Sequence, residues 1–345
     1  MNKQVLKFGI VGCGVISKIH AKSIQAIDDA RLVGVYDANV ESAKIFAAAF
    51  SCDFFESYEE MLASPDIQAV CICTPSGLHA PLAIQAAGAG KHIVVEKPMA
   101  ITHEQISELT EVVKEKGVKV AVISQLRFTD AVRQIKTAIE NDVLGKILMV
   151  NAEMKYYRSP EYYASSSWRG TYAMDGGGAL MNQGIHGIDL LLYLAGDVKS
   201  VSAVCKTLVK DIEVEDTACM VVEYENGAIG TIQGATSIEP GYPRVIEICG
   251  TKGSIALEED RIIRWDIDGK SLSADEIKES GYNSFRTPEG FDIHNHQLQI
   301  SDFIKAVRED REPLVNVEQG RRAVEFILAA YESSSTNRKI YLKES

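Results

Sequence analysis

The sequence predicts an α/β fold: an N-terminal domain with a doubly wound parallel sheet, and a C-terminal α+β domain with a large, open, mostly antiparallel sheet. Three observations predict it. Buried strand-like runs alternate with amphipathic helical runs as far as Arg127, a glycine turn joins the first strand to the first helix, and strand-like runs follow one another from Ile147 onward. We therefore expect one domain over residues 1–126 and a second over residues 127–345.

The first domain alternates between strands and helices. Its strands are predicted at Phe8–Val11, Leu32–Tyr36, Ala69–Thr74, His92–Val95 and Lys119–Ser124. Its helices are predicted at Ile16–Ile27, Val40–Phe50, Tyr58–Leu62, His79–Gly88 and Glu104–Lys116. Because parallel strands need crossover connections, this alternation indicates a parallel sheet with helices on both faces.

The second domain changes this rhythm after one more helix, Ala131–Glu140. Its long strand-like runs are Lys199–Val209, Ala218–Tyr224, Ala228–Ala235, Val245–Cys249, Ser254–Glu258 and Ile262–Ile267. Tight turns such as Glu225-Asn226-Gly227 and Thr251-Lys252-Gly253 join several of them, which favours antiparallel pairing. Two helices, His294–Arg308 and Glu318–Glu332, are predicted to close the chain.

Composition excludes several classes of protein. The 345 residues are 46% apolar, and the formal charge of −12 is spread without a basic cluster, which argues against nucleic-acid binding. No apolar run approaches the roughly 20 residues of a membrane span, and residues 1–4 lead directly into a strand rather than a signal peptide. Seven cysteines without a C-x-x-C pair are typical of a reducing compartment, so we expect a cytoplasmic protein with no membrane contact.

The turn after the first strand carries the first functional signal. Gly12-Cys13-Gly14 follows the apolar run Phe8–Val11, and Ser17 stands where a third glycine is usual. Gly12 allows the turn, Gly14 lets a pyrophosphate approach the backbone, and the helix N-terminus offers free N–H groups and a positive dipole end. An ordinary loop can carry the same glycines, but this position between a strand and a helix predicts a bound dinucleotide.

The second strand ends in Asp37, about 20 residues beyond the glycine turn. A carboxylate at this place accepts hydrogen bonds from the ribose diol of NAD and repels the 2′-phosphate of NADP. Ala38 and Asn39, which follow, supply no positive charge. NAD is therefore predicted as the cofactor in preference to NADP.

A lysine ends the fifth predicted strand, in the tripeptide Glu96-Lys97-Pro98. Ligands of open α/β sheets bind outside the carboxyl ends of the strands, so Lys97 is expected to point toward the cleft in which a nicotinamide would lie. The alternative is an ordinary surface lysine at a strand end. Its place between a glutamate and a proline favours a fixed backbone and hence a functional role.

A glycine-rich run from Gly176 to Asp189 leads into an apolar helix. At about 100° per residue, Asn182, His186 and Asp189 share one helix face, and buried polar groups need partners or a function. The unperturbed pKa of a histidine side chain, about 6.5, suits a general base near neutrality, which makes His186 a candidate. The alternative is a core histidine paired with Asp189. Gly184 and Gly187 are expected to leave room for something to approach the helix.

These motifs, with Thr74-Pro75-Ser76, His79 and Trp168-Arg169, resemble the Gfo/Idh/MocA family, the relatives of glucose–fructose oxidoreductase and inositol dehydrogenase, over nearly the whole chain. The resemblance implies an N-terminal Rossmann domain, NAD(P)-dependent oxidation or reduction of a sugar, cyclitol or related polyol, and homodimers or homotetramers formed through the C-terminal sheet. It also implies that Lys97 and His186 are the catalytic residues. This chain departs from the resemblance at Asn182, where many inositol dehydrogenase relatives carry aspartate. The difference matters because an amide can hold a substrate hydroxyl but cannot take a proton.

The remaining site predictions follow the same resemblance, with no metal expected. The substrate-binding residues are predicted to be Asn182, Arg169, Tyr156, His294 and His296. Tyr156 is equally well an ordinary sheet aromatic, and the two histidines can simply begin a helix. The cofactor-binding residues are predicted to be Gly12, Gly14, Val15, Ile16, Asp37, Thr74, Pro75, Ser76, His79, Glu96, Lys97, Gln125, Trp168 and Arg169.

Two other functions stay open at this point. Some members of the superfamily cleave glycosides by transient oxidation with tightly held NAD, and others bind the nucleotide as sensors or repressors without turnover. Such sensors typically lose the lysine or the histidine, whereas this chain keeps Lys97 and His186. Either of these two residues could be the final carrier of the substrate proton.

Overall fold

The structure is a computed structural model that describes residues 5–271 and 293–342. These residues form two compact units: residues 5–125 with 293–321, and residues 126–271 with 322–342. Each unit contains one sheet. In the described part of the chain, no helix combines the length and the apolar character needed to cross a bilayer.

Strands and helices follow one another in the predicted order. The strands are β1 (Leu6–Val11), β2 (Ala30–Tyr36), β3 (Asp53–Phe54), β4 (Ala69–Ile72), β5 (His92–Val95), β6 (Val120–Val122), β7 (Ile147–Lys155), β8 (Val198–Lys206), β9 (Thr217–Tyr224), β10 (Ile229–Ala235), β11 (Val245–Gly250), β12 (Gly253–Glu258), β13 (Arg261–Ile267), β14 (Lys270–Ser271) and β15 (Ile340–Tyr341). The helices are α1 (Val15–Gln25), α2 (Val40–Phe50), α3 (Tyr58–Ala63), α4 (His79–Gly88), α5 (His103–Lys116), α6 (Asp130–Glu140), α7 (Pro160–Ala164), α8 (Ile185–Ala195), α9 (His294–Glu309) and α10 (Val317–Thr336).

The sheet of the first unit is fully parallel, with the order β3-β2-β1-β4-β5-β6. The strand order reverses between β1 and β4, which is where open sheets of this kind bind their ligands. Phe8 and Ile10 of β1 are buried in a core that also contains Phe46 of α2 and Phe303 of α9. The rings of Phe8 and Phe303 lie 6.1 Å apart. Helix α9 thus packs in the first unit, although it lies near the C-terminus.

The second unit has a nine-stranded sheet with the order β14-β13-β12-β11-β7-β10-β9-β8-β15. Strands β7 and β10 are parallel, and every other neighbouring pair is antiparallel. Along β9, Ala218, Met220 and Val222 are buried, whereas Cys219 and Val221 are exposed. One face of the sheet therefore packs against the unit and the other is open.

The predicted fold class is confirmed; the differences are the ends of some elements and the short elements β3, α7, β14 and β15, which were not predicted. Strand β8 stops at Lys206 instead of Val209, because the Asp216 carboxylate accepts the N–H groups of Leu208, Val209 and Lys210 and draws that segment out of the sheet. The limits 1–126 and 127–345 stay a prediction of where the domains divide.

Candidate active site

The glycine turn between β1 and α1 has the backbone that the motif requires. Gly12 has a φ of +91°, and a Cβ atom there would lie 2.9 Å from the carbonyl oxygen of Cys73, so only glycine fits. No atom lies within 4 Å of a Cβ built on Gly14, which leaves open space above its backbone. Ser17, in place of the third glycine, is buried and donates a hydrogen bond to the Gly14 carbonyl at 2.6 Å. Serine therefore stabilises the first turn of α1 from inside.

Asp37 is fixed beside this turn by the backbone. Its Oδ2 atom accepts the Cys13 N–H at 2.7 Å, and its Oδ1 atom accepts the Asn39 N–H at 2.8 Å. Each carboxylate oxygen can accept a further hydrogen bond. The carboxylate at the end of β2 thus remains able to accept the hydroxyl groups of a ribose.

The loops after β4 and β6 contain buried polar atoms that lack protein partners. Thr74 Oγ1 and Gln125 Oε1 make no hydrogen bond to any described residue. Buried polar atoms are normally paired, so each marks a position where a bound molecule can supply the partner. Together with the open space above Gly14 and the carboxylate of Asp37, these atoms fit a dinucleotide along the carboxyl edge of the sheet.

His79 is placed to position the loops rather than to present its ring at the edge. It is buried, and its Nδ1 and Nε2 atoms each lie 2.7 Å from a carbonyl oxygen, of Pro98 and Thr74 respectively. Burial lowers the pKa of His79, while the hydrogen bonds to the two carbonyl oxygens oppose that effect. The imidazole ties the loop after β4 to the loop after β5.

Behind Lys97 lies a buried cluster of Glu96, His20 and His296. His20 Nε2 and Glu96 Oε1 are 2.8 Å apart, and one potential ligand atom from each residue lies within 4.8 Å of the others. Burial raises the pKa of Glu96, but the His20 hydrogen bond and the charges of His20, His296 and Lys97 outweigh it and lower this pKa to about 2. A hydrogen bond joins His20 to Glu96 within this cluster, and the expectation that no metal is bound stays a prediction.

Glu96→Gln is expected to destabilise the protein in a pH-dependent way. A folded-state pKa of about 2, below the usual 4.5, means that the carboxylate contributes stability above that usual value and loses it as the pH falls toward 2. The loss in the variant is on the order of 3 kcal/mol near neutrality and shrinks in acid. Denaturant unfolding over this pH range measures it, with exposed Glu108→Gln as the control. A difference that stays constant with pH would contradict the ionic role.

The two histidines at the start of α9 have different surroundings. His294 is exposed at the first position of the helix. His296 is only 2% exposed and belongs to the Glu96 cluster. Lys97 itself is half-buried at the carboxyl end of β5, its peptide bond to Pro98 is cis, and its N–H donates to Glu96 Oε2 at 3.3 Å.

In the second unit, the glycine-rich run forms a π-helical turn, Ala179–Gly184, that continues into α8. The predicted repeat of 100° per residue is therefore wrong before Ile185, because a π turn holds more residues. Beneath the turn lies Glu215, whose carboxylate accepts the N–H groups of Gly178 at 2.9 Å and Leu180 at 2.8 Å and the hydroxyl of Tyr331 at 2.9 Å. Burial raises the pKa of Glu215. These bonds fix the segment that carries Asn182 and His186.

The two glycines around His186 allow protein packing. A Cβ atom at Gly184 would meet the Ala179 carbonyl oxygen at 2.9 Å, and one at Gly187 would collide with Met154 of β7. At Gly187 it is strand β7 that approaches the helix, which a residue without a side chain allows.

Asp189 pairs with Arg127, a partner that the sequence analysis did not consider. Both of its oxygens accept hydrogen bonds from Arg127, at 2.9 Å from Nε and 2.6 Å from Nη2, and both residues are buried. Its possible role in orienting the half-buried ring of His186 stays a prediction.

Beside Asn182, the structure assembles three polar side chains that the sequence did not single out, Gln183, Tyr162 and Arg158, with the predicted site residue Arg169. Gln183 Nε2 donates to Tyr162 Oη at 3.0 Å, and Arg158 Nη2 donates to Gln183 Oε1 at 2.6 Å. Arg169 donates to Tyr162 Oη at 2.5 Å, and its guanidinium lies 4.2 Å from the Tyr162 ring and 4.6 Å from that of Trp168.

The charges in this group are not balanced. Neither Arg158 nor Arg169 forms an ion pair with a carboxylate of the described residues, and the buried Nε atom of Arg169 makes no hydrogen bond to them. A bound anionic group would supply acceptors for these donors.

Tyr156 has a different environment from these residues. It is 4% exposed, and burial raises the pKa of its hydroxyl to about 12 beside Arg244. This buried environment favours the alternative that Tyr156 is an ordinary aromatic residue packed at the sheet.

Comparisons with known proteins agree with this architecture. A family model described as an oxidoreductase family NAD-binding Rossmann fold matches residues 6–124, and one for the C-terminal alpha/beta domain of that family matches residues 136–342. Inositol 2-dehydrogenase of Rhizobium meliloti is 28% identical over 98% of this chain and 99% of its own. Levoglucosan dehydrogenase of Pseudarthrobacter phenanthrenivorans is 31% identical over 75% of each chain. The crystal structure of the WlbA dehydrogenase from Bordetella pertussis, in complex with NADH and UDP-GlcNAcA, is 34% identical and covers 99% of this chain and 100% of its own with a TM-score of 0.88.

Proposed function

This chain belongs to the Gfo/Idh/MocA oxidoreductase family, and on that premise we propose that it transfers a hydride between nicotinamide and a secondary alcohol of a sugar, cyclitol or sugar derivative. The observation that carries the proposal is the polar group around Asn182, in which Gln183 contacts Asn182 and Arg158, and Tyr162 joins Gln183 to Arg169. These groups suit a substrate with several hydroxyls and a negative charge.

NAD would be held by Gly12, Gly14, Asp37, Thr74 and Gln125, whose donors and acceptors face the carboxyl edge of the parallel sheet. When bound, it supplies the acceptor for the hydride that leaves the carbinol carbon. Val15 and Ile16, which begin α1, would contribute backbone N–H groups. Ser76 and Pro75 would line the same edge after β4.

His186 and Lys97 are proposed as the catalytic residues. A ring nitrogen of His186 takes the hydroxyl proton, and the Lys97 ammonium stabilises the negative charge that develops on the alkoxide oxygen. Asn182 holds a neighbouring hydroxyl. In the direction of reduction, the same groups return the proton to the carbonyl oxygen.

An acidic sugar derivative is the proposed substrate class. Arg158 and Arg169 offer guanidinium donors without carboxylate partners among the described residues, and Arg169 is held over two aromatic rings. The complex of the related WlbA dehydrogenase with UDP-GlcNAcA supports the same class. Oxidation of neutral inositols or anhydrosugars would be the weaker activity.

A substrate panel tests the proposal. With NAD, cyclic polyols are expected to give NADH, with the highest kcat/KM for uronic acids and their nucleotide-linked forms. Short alcohols and 2-hydroxy acids leave buried polar groups unpaired, at about 1–3 kcal/mol each, and are not expected to react. Stoichiometric NADH release distinguishes a dehydrogenase from a glycoside-cleaving enzyme. Reaction of a non-carbohydrate substrate, with no cyclic sugar active in either direction, would refute the proposal.

The variant Arg169→Met, measured on the same substrates as the wild type, tests whether Arg169 binds the acidic group of the sugar. The variant should raise the KM for acidic sugars more than the KM for neutral ones. Arg133→Met is the control, because its guanidinium lies 5.7 Å from the Phe128 ring, within the same unit. If the KM for NAD rises instead and the KM values for acidic and neutral sugars do not change, Arg169 binds the cofactor.

NAD is expected to be preferred over NADP by at least about tenfold in kcat/KM, which corresponds to about 1.4 kcal/mol. The reason is the Asp37 carboxylate, which accepts the ribose diol and repels a 2′-phosphate. Replacing Asp37 by Ser and Ala38 by Arg should narrow the preference. Steady-state kinetics with both cofactors measure it, and equal or better efficiency with NADP would show that Asp37 does not select the cofactor.

We further propose that the protein forms homodimers or homotetramers through the open face of the nine-stranded sheet, in the cytoplasm. By strand register, Met149, Val204, Val221 and Ile229 share that face, and each is at least 43% exposed. Apolar side chains in such a contiguous arrangement favour association. Sedimentation measures the mass of the particle directly.

A further inference from the structure

A buried aspartate holds the residue at which this chain departs from many inositol dehydrogenase relatives. Asp175 is 1% exposed, and its Oδ1 atom accepts a hydrogen bond from Asn182 Nδ2 at 2.6 Å. Its Oδ2 atom accepts the Gly170 N–H at 2.7 Å. Gly170 has a φ of +73°, and a Cβ atom there would lie 2.8 Å from Ile212, so the backbone donor is itself fixed.

This contact determines which way the Asn182 amide points. A carboxylate can only accept hydrogen bonds, so the NH₂ group of Asn182 must face Asp175. The Oδ1 atom is then turned the other way, where it accepts from Gln183 Nε2 at 3.2 Å. A carbonyl oxygen has two lone pairs, so Oδ1 can accept from a substrate hydroxyl as well as from Gln183.

The same contact determines which residue types position 182 can hold. An aspartate there would place a second carboxylate oxygen at hydrogen-bond distance from Asp175, in a buried place. Two carboxylates so close cannot both be ionised. Two other titratable or charged groups lie nearby, Tyr163 and Arg158. Burial and the charge of Asp175 raise the pKa of the Tyr163 hydroxyl, and the charge of Arg158 lowers it.

We infer that Asp175 is a positioning residue that sets the substrate contacts of this site: it orients the Asn182 amide, presents Oδ1 as an acceptor for a substrate hydroxyl, and excludes a carboxylate from position 182. The inference rests on the proposed function only in that a sugar hydroxyl is the partner of Oδ1.

Four proteins test the inference: the full-length wild type, Asn182→Asp, Asp175→Asn, and the double variant that exchanges the two residues. In the double variant, the amide at position 175 can donate to the carboxylate at position 182 and still accept the Gly170 N–H. Asn182→Asp is expected to lower kcat/KM at least about tenfold at about pH 8 and to recover part of it at about pH 6, because one carboxyl must be protonated. The exchange should recover most of the loss, chiefly in KM.

Thermal unfolding without any substrate gives a readout that does not depend on activity. Asn182→Asp should have a lower Tm than the wild type at about pH 8, a smaller deficit at about pH 6, and a Tm close to wild type after the exchange. If the effects of the two substitutions simply add and the deficit does not change with pH, the inference is overturned. If the Tm pattern holds while no sugar is oxidised by the wild type, the proposed function fails and the role of Asp175 at position 182 stands.

Discussion

Lys97→Ala is expected to lower turnover by about 100-fold or more while the affinity for NAD changes little. In the proposed mechanism, the ammonium group stabilises negative charge that develops only as the hydride leaves, so its loss should appear in kcat and not in cofactor binding. Single-turnover hydride transfer, followed by NADH absorbance, measures the chemical step. Fluorescence titration with NADH measures the cofactor affinity of the same variant.

Lys91→Ala is the matched control for this experiment. Lys91 precedes β5, at the opposite end of the strand, and its Nζ atom donates to the carbonyl oxygens of Ser64 at 2.9 Å and Ile67 at 2.7 Å. This lysine is structural, so its removal should lower the Tm without changing kcat. If Lys97→Ala instead behaves like Lys91→Ala, the strand-end lysine is structural as well.

His186→Ala should lower kcat by a similar factor, about 100-fold or more, because general base catalysis typically contributes that much. The variant should also lose the part of the pH profile in which activity rises as a histidine deprotonates, near its ordinary pKa of about 6.5. Kinetics over a range of pH test both expectations. Added imidazole should restore part of the activity, since it can act as the missing base.

His103→Ala is the control for this variant, because His103 is exposed at the first position of α5. It should keep the wild-type rate and pH profile. Turnover of His186→Ala near that of the wild type would exclude the proposed role of this histidine. A large fall in Tm, with loss of activity at every pH and no rescue by imidazole, would assign it to packing.

Much of the first unit could be predicted from local sequence. The glycine turn, the strands that follow it and Asp37 at the end of β2 depend on neighbouring residues, because backbone conformation at Gly12 and strand periodicity are local properties. Pairing of β7 with β10 as a parallel pair within an antiparallel sheet was not predictable, since strand order depends on long-range packing.

Short stretches of sequence predicted the cofactor turn, the Glu96-Lys97-Pro98 strand end and the segment with Asn182 and His186, because the residue types in each stretch constrain its chemistry. Tertiary structure alone decided the partners of those residues. His296 joins His20 and Glu96, Arg127 takes both oxygens of Asp189, and Asp175 fixes Asn182. Buried polar groups must be paired, and the fold, not the spacing along the chain, brings their partners within reach.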